Sequence, residues 1–227
     1  MKSLQLIFKY IKYLFRARSK HSAQAPFLYE LITKVIDKTT DDNSCKNIEA
    51  LRKELCTQER IIKITDFGAG STINNSKTRK VKDVAKNSAK NAKFGKLLYR
   101  IIQFYKPKNI LELGTSLGIS TSYLAKADAN AHVFTFEGCP ETAKIAQENF
   151  DKQNITNTSI TLGDFNLTLS EKLKEIETVD LAFIDGNHQE KPTIAYFEEC
   201  LKYANNNTIF IFDDIHWSDG MENAWNY

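Results

Sequence analysis

The stretch ILELGTSLGIS, residues 110–120, joins a short apolar run to a glycine-bounded turn and the start of a helical segment. Glycine at Gly114 and Gly118 lets the backbone approach a ligand closely, and the N-terminus of the following helix offers free N–H groups. Gly114 is followed by TSL, so the GxGxxG fingerprint of nicotinamide cofactors is absent. The stretch therefore predicts a strand, a turn and a helix with a ligand at the turn, and it disfavours a nicotinamide-dependent reductase.

Four more apolar runs, each ended by glycine or an acidic residue, follow in the second half of the chain, with segments of helical spacing between them. The five runs cover residues 109–114, 131–137, 158–164, 179–186 and 207–214, and the helical segments cover about 118–127, 140–153, 165–176 and 189–205. Strands that alternate with helices indicate right-handed βαβ units and a parallel sheet. We therefore expect an α/β fold with a Rossmann-like, doubly wound, mainly parallel sheet.

Acidic side chains stand at or just past the end of every predicted strand. They are Glu112, Glu137, Asp164, Asp185, Asp213 and Asp214. Ligands of such a sheet bind outside the carboxyl ends of its strands, and carboxylates placed in an apolar core are costly, so the set predicts a binding site. Glu112 would repel a pyrophosphate and suits a cationic ligand, and Glu137 could accept both hydroxyls of a ribose. Asp164 could accept an adenine amine or, equally well, cap the following helix.

Composition and charge exclude several classes of protein. Of 227 residues, 42% are hydrophobic and 26% charged, which is typical of a globular protein and not of a disordered one. No apolar run reaches 18 residues, and Lys9 and Lys12 interrupt the N-terminal apolar stretch, so neither a membrane span nor a secretory signal is expected. Four separated cysteines without a CxxC pair favour a reducing cytoplasm over a disulfide framework or zinc site.

The charge is divided unevenly along the chain. Residues 1–108 carry 24 Lys and Arg against 9 Asp and Glu, whereas residues 109–227 carry 7 against 19. The two halves could pack against each other or both be solvated, or the basic half could bind an anionic partner such as nucleic acid or a membrane face.

The first half of the chain is expected to be mostly helical. Leu4, Ile7, Phe8, Ile11, Leu14 and Phe15 recur at helical spacing between basic residues. This helix could lie on a membrane, on its own domain, or on a second copy of the chain in a homodimer. Further helices are expected at about 26–37 and 42–57, a loop or mobile lid at 61–77, and two basic helices over 78–106. We expect an N-terminal helical extension over 1–60, a capping region over 61–108 and a Rossmann-like core over 109–227.

The ordered motifs ELGTSLG, TFEG, LGDF, FIDGNH and FDDIH resemble those of the class I S-adenosylmethionine (SAM)-dependent methyltransferases. The chain is similar in particular to the O-methyltransferase branch, with its catechol and macrocin types, over about residues 88–220. The resemblance implies a SAM site in which Glu112 lies near the methionine ammonium, Glu137 binds the ribose and Asp164 lies at the adenine edge. It also places the glycine turn and the segment AKFGKLL against the cofactor, through Gly114, Thr115, Ser116, Gly118, Phe94 and Gly95.

The same resemblance implies a divalent metal and a base. Asp185 matches the first metal ligand, Asp213 and Asp214 match the paired ligands, and three oxygen ligands suit Mg²⁺. His188 matches the catalytic base by its offset from Asp185, and His216 is a weaker candidate for the surroundings of the metal. The aspartates could instead form a turn and helix cap, and His188 could be an ordinary surface histidine.

The function implied is methyl transfer from SAM to a hydroxyl of a small-molecule acceptor. Two alternatives stay open: an RNA methyltransferase that uses the basic half, and a non-catalytic SAM-binding module. Against base methylation, no NPPY-like or DPPY-like tetrapeptide follows the fourth run, and Cys139 follows the second run, the wrong place for a C5 nucleophile. After the fifth run, HWSDGMENAWNY starts a helix where such enzymes have a strand hairpin, so that hairpin is expected to be missing or cut off.

Overall fold

The computed structural model describes residues 25–65 and 77–227, together with Ile7, Tyr10, Ile11 and Phe15. Contacts divide the chain into one compact unit over Met1–Thr39 and a second over Thr40–Tyr227. The domain boundaries expected at 60 and 108 therefore fall inside the second unit. The expected lid is described at its two ends and not in its middle, and most of the N-terminal amphipathic helix also lies outside the described residues.

The first unit contains the helix predicted over 26–37, but its hydrogen bonding changes along its length. Helix α1 spans Pro26–Glu30, and a π-helical segment continues it over Leu31–Ile36. Pro26 stands in the first turn, where its missing N–H has no helical partner to lose. Ile7, Tyr10, Ile11 and Phe15 are helical and exposed.

The second unit is built on a five-stranded parallel sheet. Its strands are β3 (Asn109–Leu113), β4 (His132–Glu137), β5 (Thr158–Leu162), β6 (Val179–Ile184) and β7 (Ala204–Phe212), in the spatial order β5-β4-β3-β6-β7. The connecting helices are α5 (Ile119–Ala127), α6 (Pro140–Lys152), α7 (Phe165–Ile176) and α8 (Glu190–Leu201). The order reverses between β3 and β6, and this switch point is where ligands of such sheets bind. The Rossmann-like prediction is confirmed.

Helices cover both faces of this sheet, which is why the central strands are apolar almost throughout. One core cluster joins Leu117, Tyr123 and Ile145 to residues of α2 (Asp42–Leu55) and α3 (Val81–Asn87). The other joins Leu113 and Phe136 to side chains of α7 and α8. Helix α4 (Ala92–Tyr105) packs along α5.

Three expectations about element boundaries were wrong. Residues 61–63 and 78–80 form an antiparallel pair, β1 (Ile61–Lys63) and β2 (Thr78–Lys80), where a loop and the start of a helix were expected. Their backbone groups pair across the 14 positions between Lys63 and Thr78, a long-range contact that local periodicity does not reveal. Helix α8 ends at Leu201 instead of 205, and β7 starts at Ala204. The N–H of Val179, at the start of β6, donates to the carbonyl of Tyr203, which ties the chain before β7 to the sheet.

The chain ends in a helix, as HWSDGMENAWNY indicated. Helix α9 covers Asp219–Asn226, and within the described residues no strand follows β7. Strand β7 is therefore an edge of the sheet, and the Trp225 ring packs against Phe212 near its end. Among the described residues, no helix has the length and apolar character that a membrane crossing requires.

Candidate active site

The turn after β3 brings the ends of two strands into contact. Gly114 has φ +109°, and a Cβ there would lie 2.3 Å from the carbonyl oxygen of Asp185 at the end of β6. Gly118 begins α5 with φ +77°, and its Cβ would collide with the ring of Phe150. L-residues rarely adopt these conformations, so both glycines are required by the backbone as well as by the space. The turn is thereby held against the switch point of the sheet.

A cavity of about 520 Å³ opens at the carboxyl ends of the strands. Its wall includes the turn after β3, the loops after β4, β5, β6 and β7, and the loop between α3 and α4. Of the site residues predicted from the sequence, it is lined by Phe94, Gly114, Ser116, Glu137, Asp164, Asp185, His188, Asp213 and Asp214. Motifs that are far apart in the sequence therefore lie together in one cavity.

Four of the predicted cofactor residues do not line the cavity: Glu112, Thr115, Gly118 and Gly95. Gly95 lies on the buried side of α4, where a Cβ would lie 2.2 Å from the ring of Tyr123. It allows α4 to pack closely on α5, and Phe94 beside it faces the cavity.

Glu112 is fully buried beneath the glycine turn. Its Oε2 accepts hydrogen bonds from the hydroxyls of Thr121 and Thr135, and Thr135 is also 2.6 Å from the hydroxyl oxygen of Thr115. Glu112 Oε1 is buried with no hydrogen-bond partner among the described residues. Burial raises the pKa of this carboxyl, because the charged form loses its hydration.

Glu137, at the end of β4, is anchored by the backbone. Oε2 accepts the N–H of Ser116 at 2.6 Å and Oε1 accepts the N–H of Cys139 at 2.8 Å. Burial raises the pKa of Glu137, and these N–H donors oppose that rise. The side chain thus links the turn after β3 to the loop after β4.

The sequence left two roles open for Asp164, a contact to an adenine amine and a cap of the following helix. It caps α7 by accepting the N–H of Asn166 at 2.9 Å, and it also lines the cavity. The two roles are compatible, because a capping carboxylate has further lone pairs.

The ends of β6 and β7 carry a compact group of charges. The N–H of Asp185 donates to the carbonyl of Leu113, and the N–H of Asp213 donates to that of Ile184, which sets both side chains at the same edge. Lys90, from the loop between α3 and α4, pairs its ammonium with Asp185 Oδ2 at 2.9 Å and with Asp213 Oδ2. Burial raises the pKa of Asp185 to about 6, and Lys90 and His188 oppose that rise.

His188 faces two carboxylates. Its Nε2 is 3.9 Å from Asp185 Oδ1 and 3.9 Å from Asp214 Oδ2, and the three ligating atoms lie within 4.8 Å of one another. Asp213 is not part of this group; its Oδ1 accepts the N–H of Asp214. Asn187, His188 and Asp214 all have positive φ, a strained backbone that is typical of functional sites.

Sequence reasoning missed Lys90 and Trp217, which both line the cavity. Lys90 is one lysine among many in a basic stretch, and nothing local distinguishes it from the others. Trp217 follows FDDIH directly and could have been suspected from that position. His216, the weaker candidate, does not line the cavity; it is mostly exposed and pairs with Glu222 at 3.2 Å.

Residues 111–215 match the model of a family described as a methyltransferase domain. A catechol O-methyltransferase of Niastella koreensis is 33% identical over 124 residues, which cover 53% of this chain and 55% of that protein. A catechol O-methyltransferase of Mycobacterium tuberculosis is 25% identical over 139 residues, covering 59% and 60%. The chain therefore spans little more than half the length of the curated relatives it matches.

A solved structure extends the likeness over most of the chain. The O-methyltransferase from Bacillus cereus in complex with S-adenosylhomocysteine (SAH) superposes with a TM-score of 0.58 at 20% identity, covering 92% of this chain and 86% of that one. The fold, with its cavity at the carboxyl ends of the strands, is that of the class I methyltransferases. Within this class, the comparisons confirm the resemblance to the O-methyltransferase branch that the ordered motifs indicated.

Proposed function

We propose that this protein transfers a methyl group from SAM to a hydroxyl group of a small-molecule acceptor. The observation that carries the proposal is the meeting, in one cavity, of the glycine turn after β3 with the charged group Asp185, His188 and Asp214. The names of the relatives support the reaction, since the two curated proteins are catechol O-methyltransferases.

We place the cofactor on the side of the cavity formed by β3, β4 and β5. Gly114 and Ser116 would contact the methionine part, Glu137 the ribose and Asp164 the adenine edge, with Phe94 closing that side. A sulfonium is positive, and the buried carboxylates at this edge favour it electrostatically. Glu112 does not line the cavity, and its Oε1 has no hydrogen-bond partner among the described residues.

We place the acceptor hydroxyl beside Asp185 and His188. The SAM sulfur–methyl bond breaks as the bond from the acceptor oxygen to the methyl carbon forms, which leaves SAH. The hydroxyl proton passes to Nε2 of His188, whose two carboxylate neighbours stabilise the resulting imidazolium. The sulfonium is already activated, so the protein acts mainly by aligning donor and acceptor.

The acidic group also fits a divalent cation such as Mg²⁺. The potential donors that lie within 4.8 Å of one another are a carboxylate oxygen each from Asp185 and Asp214 and a ring nitrogen of His188. The Lys90 ammonium between Asp185 and Asp213 is a stand-in for the charge of the ion. Asp185 and Asp214 would hold the ion, and Asp213, which lies outside the group around His188, would be a third carboxylate ligand. When bound, the ion would lower the pKa of a coordinated hydroxyl. We propose a cytoplasmic location as well, since all four cysteines are free thiols.

A thermal scan tests the cofactor. A ligand that binds the folded state raises the melting temperature in proportion to its affinity, so SAM and SAH should raise it and NAD should not. No shift with SAM or SAH would contradict the proposal.

A transfer assay with labelled SAM and a catechol separates the alternatives. His188→Gln should lower turnover about 100-fold or more while SAM affinity holds, and His216→Gln, on an exposed histidine outside the cavity, is the matched control. SAM binding without transfer to any hydroxyl would favour a binding module. Retention on RNA that weakens steeply with salt would favour the RNA alternative, which the 24 basic residues of the first half suggest.

A further inference from the structure

Lys90 already occupies the position between two of the three proposed metal ligands. Its ammonium contacts Oδ2 of Asp185 and Oδ2 of Asp213, and its side chain is 16% exposed. The other oxygen of Asp213, Oδ1, accepts the N–H of Asp214. A divalent ion that binds both Asp185 and Asp213 would share these carboxylates with the ammonium, whose like charge opposes its binding.

The lysine is fixed by its surroundings as well as by its charge. It lies in the short loop between α3 and α4, and its backbone carbonyl accepts a hydrogen bond from Nε of Arg52 in α2. The next residue, Asn91, caps α4 through the N–H of Phe94. The loop is thus tied at both sides, which keeps the ammonium near the aspartates and gives it a high effective concentration there.

We propose that Lys90 is a tethered counter-ion of this cluster that competes with the divalent ion for Asp185 and Asp213. The inference rests on the proposed function, since it concerns the same cation site. Without the ion, Lys90 neutralises part of a group of three carboxylates. When the ion binds, the ammonium is displaced from both Oδ2 atoms, so ion affinity in the native protein is weakened by the contacts that are lost.

Direct measurement of Mn²⁺ binding tests the competition without any activity assay. Free Mn²⁺ would be followed by electron paramagnetic resonance at pH 7.5 for the native protein and Lys90→Met. The variant should bind Mn²⁺ at least about 10-fold more tightly, because two carboxylates lose their internal partner. Lys90→Arg, which keeps the charge, should stay near the native affinity.

Two controls define the site and the fold. Lys86→Met removes an exposed lysine at the end of α3 and should leave Mn²⁺ affinity unchanged. Asp185→Asn, added to Lys90→Met, should abolish the gain. Lys90→Gln retains hydrogen-bond donors without the charge and serves if the methionine variant melts early; it too should bind Mn²⁺ more tightly.

The outcomes are distinct. Equal or weaker Mn²⁺ binding in folded Lys90→Met or Lys90→Gln overturns the proposal, and so does a gain that survives loss of Asp185. SAM binding, measured by calorimetry on the same samples, tests the proposed function separately. If the protein does not bind SAM but binds Mn²⁺ more tightly once Lys90 is replaced, the proposed methyl transfer is wrong. The proposed competition between Lys90 and the ion is then still supported.

Discussion

The two sides of the cavity hold their acidic residues in different ways. On the side where we propose that the cofactor binds, Glu137 and Asp164 are held by backbone N–H donors, so their positions follow from the turn and the helix start. On the side where we propose that the acceptor binds, Asp185 and Asp213 are held by a side chain from a distant loop, and the backbone at His188 and Asp214 is strained. The first arrangement suits a ligand that is the same in every turnover. The second leaves charged side chains whose pairing can change during a reaction.

The largest effect should come from Asp185→Asn. The change removes the negative charge of a proposed metal ligand while keeping the size of the side chain. Methyl transfer should therefore fall by about 100-fold or more, and SAM affinity should change little. Turnover and calorimetric SAM binding, measured together, check this. A collapse of SAM affinity would show that the two sides of the cavity are not separable in this way.

The pH dependence of activity is a second test of whether the two sides of the cavity act separately. Asp185 must be ionised to hold a cation, and burial raises its pKa to about 6. Activity of the native protein should therefore fall as the pH drops below about 6, while SAM binding varies less across that range. A flat activity profile between pH 5 and 7 would argue against a role for the ionised carboxylate.

Gly114→Ala should disturb both sides at once. Its Cβ would lie 2.3 Å from the carbonyl oxygen of Asp185, and φ of +109° is strained for alanine, so we expect a loss of about 2 kcal/mol or more in stability and weaker SAM binding. Denaturant unfolding and calorimetry measure both. Gly220→Ala, whose Cβ would meet nothing closer than 3.5 Å, is the matched control and should be tolerated.

The smallest effect should be that of Glu112→Gln on stability. Burial raises the pKa of Glu112 in the folded state, so the fold binds this proton more tightly than the unfolded chain does. The contribution of this group is therefore most favourable at low pH and is lost as the pH rises from the unfolded pKa through the folded one. Between pH 4.5 and 8, the melting temperature of Glu112→Gln should therefore rise relative to that of the native protein.

Glu171→Gln, on an exposed residue of α7, controls for the loss of one surface charge and should show no such trend. If both variants follow the native protein at every pH, the carboxyl of Glu112 is not destabilised by burial.

The sequence alone determined the layered fold and the edge of the sheet at which the cavity lies. Each β-strand of the parallel sheet contains one of the predicted apolar runs. The acids at the strand ends come together because the carboxyl ends of parallel strands share one edge. Glu112, which lies one residue before the end of β3, is fully buried and does not line the cavity. Side chains alternate across a strand, so one position decides the face.

Only the tertiary structure decided which partners these acids have. Lys90 is 95 residues from Asp185 in the chain, and its approach depends on the packing of α4 on α5 and on the tie from Arg52. The β1–β2 pair and the exclusion of Asp213 from the group around His188 are likewise long-range results. Periodicity and strand ends are local properties that can be counted along a chain, whereas the choice of a particular lysine depends on the packing of the whole unit.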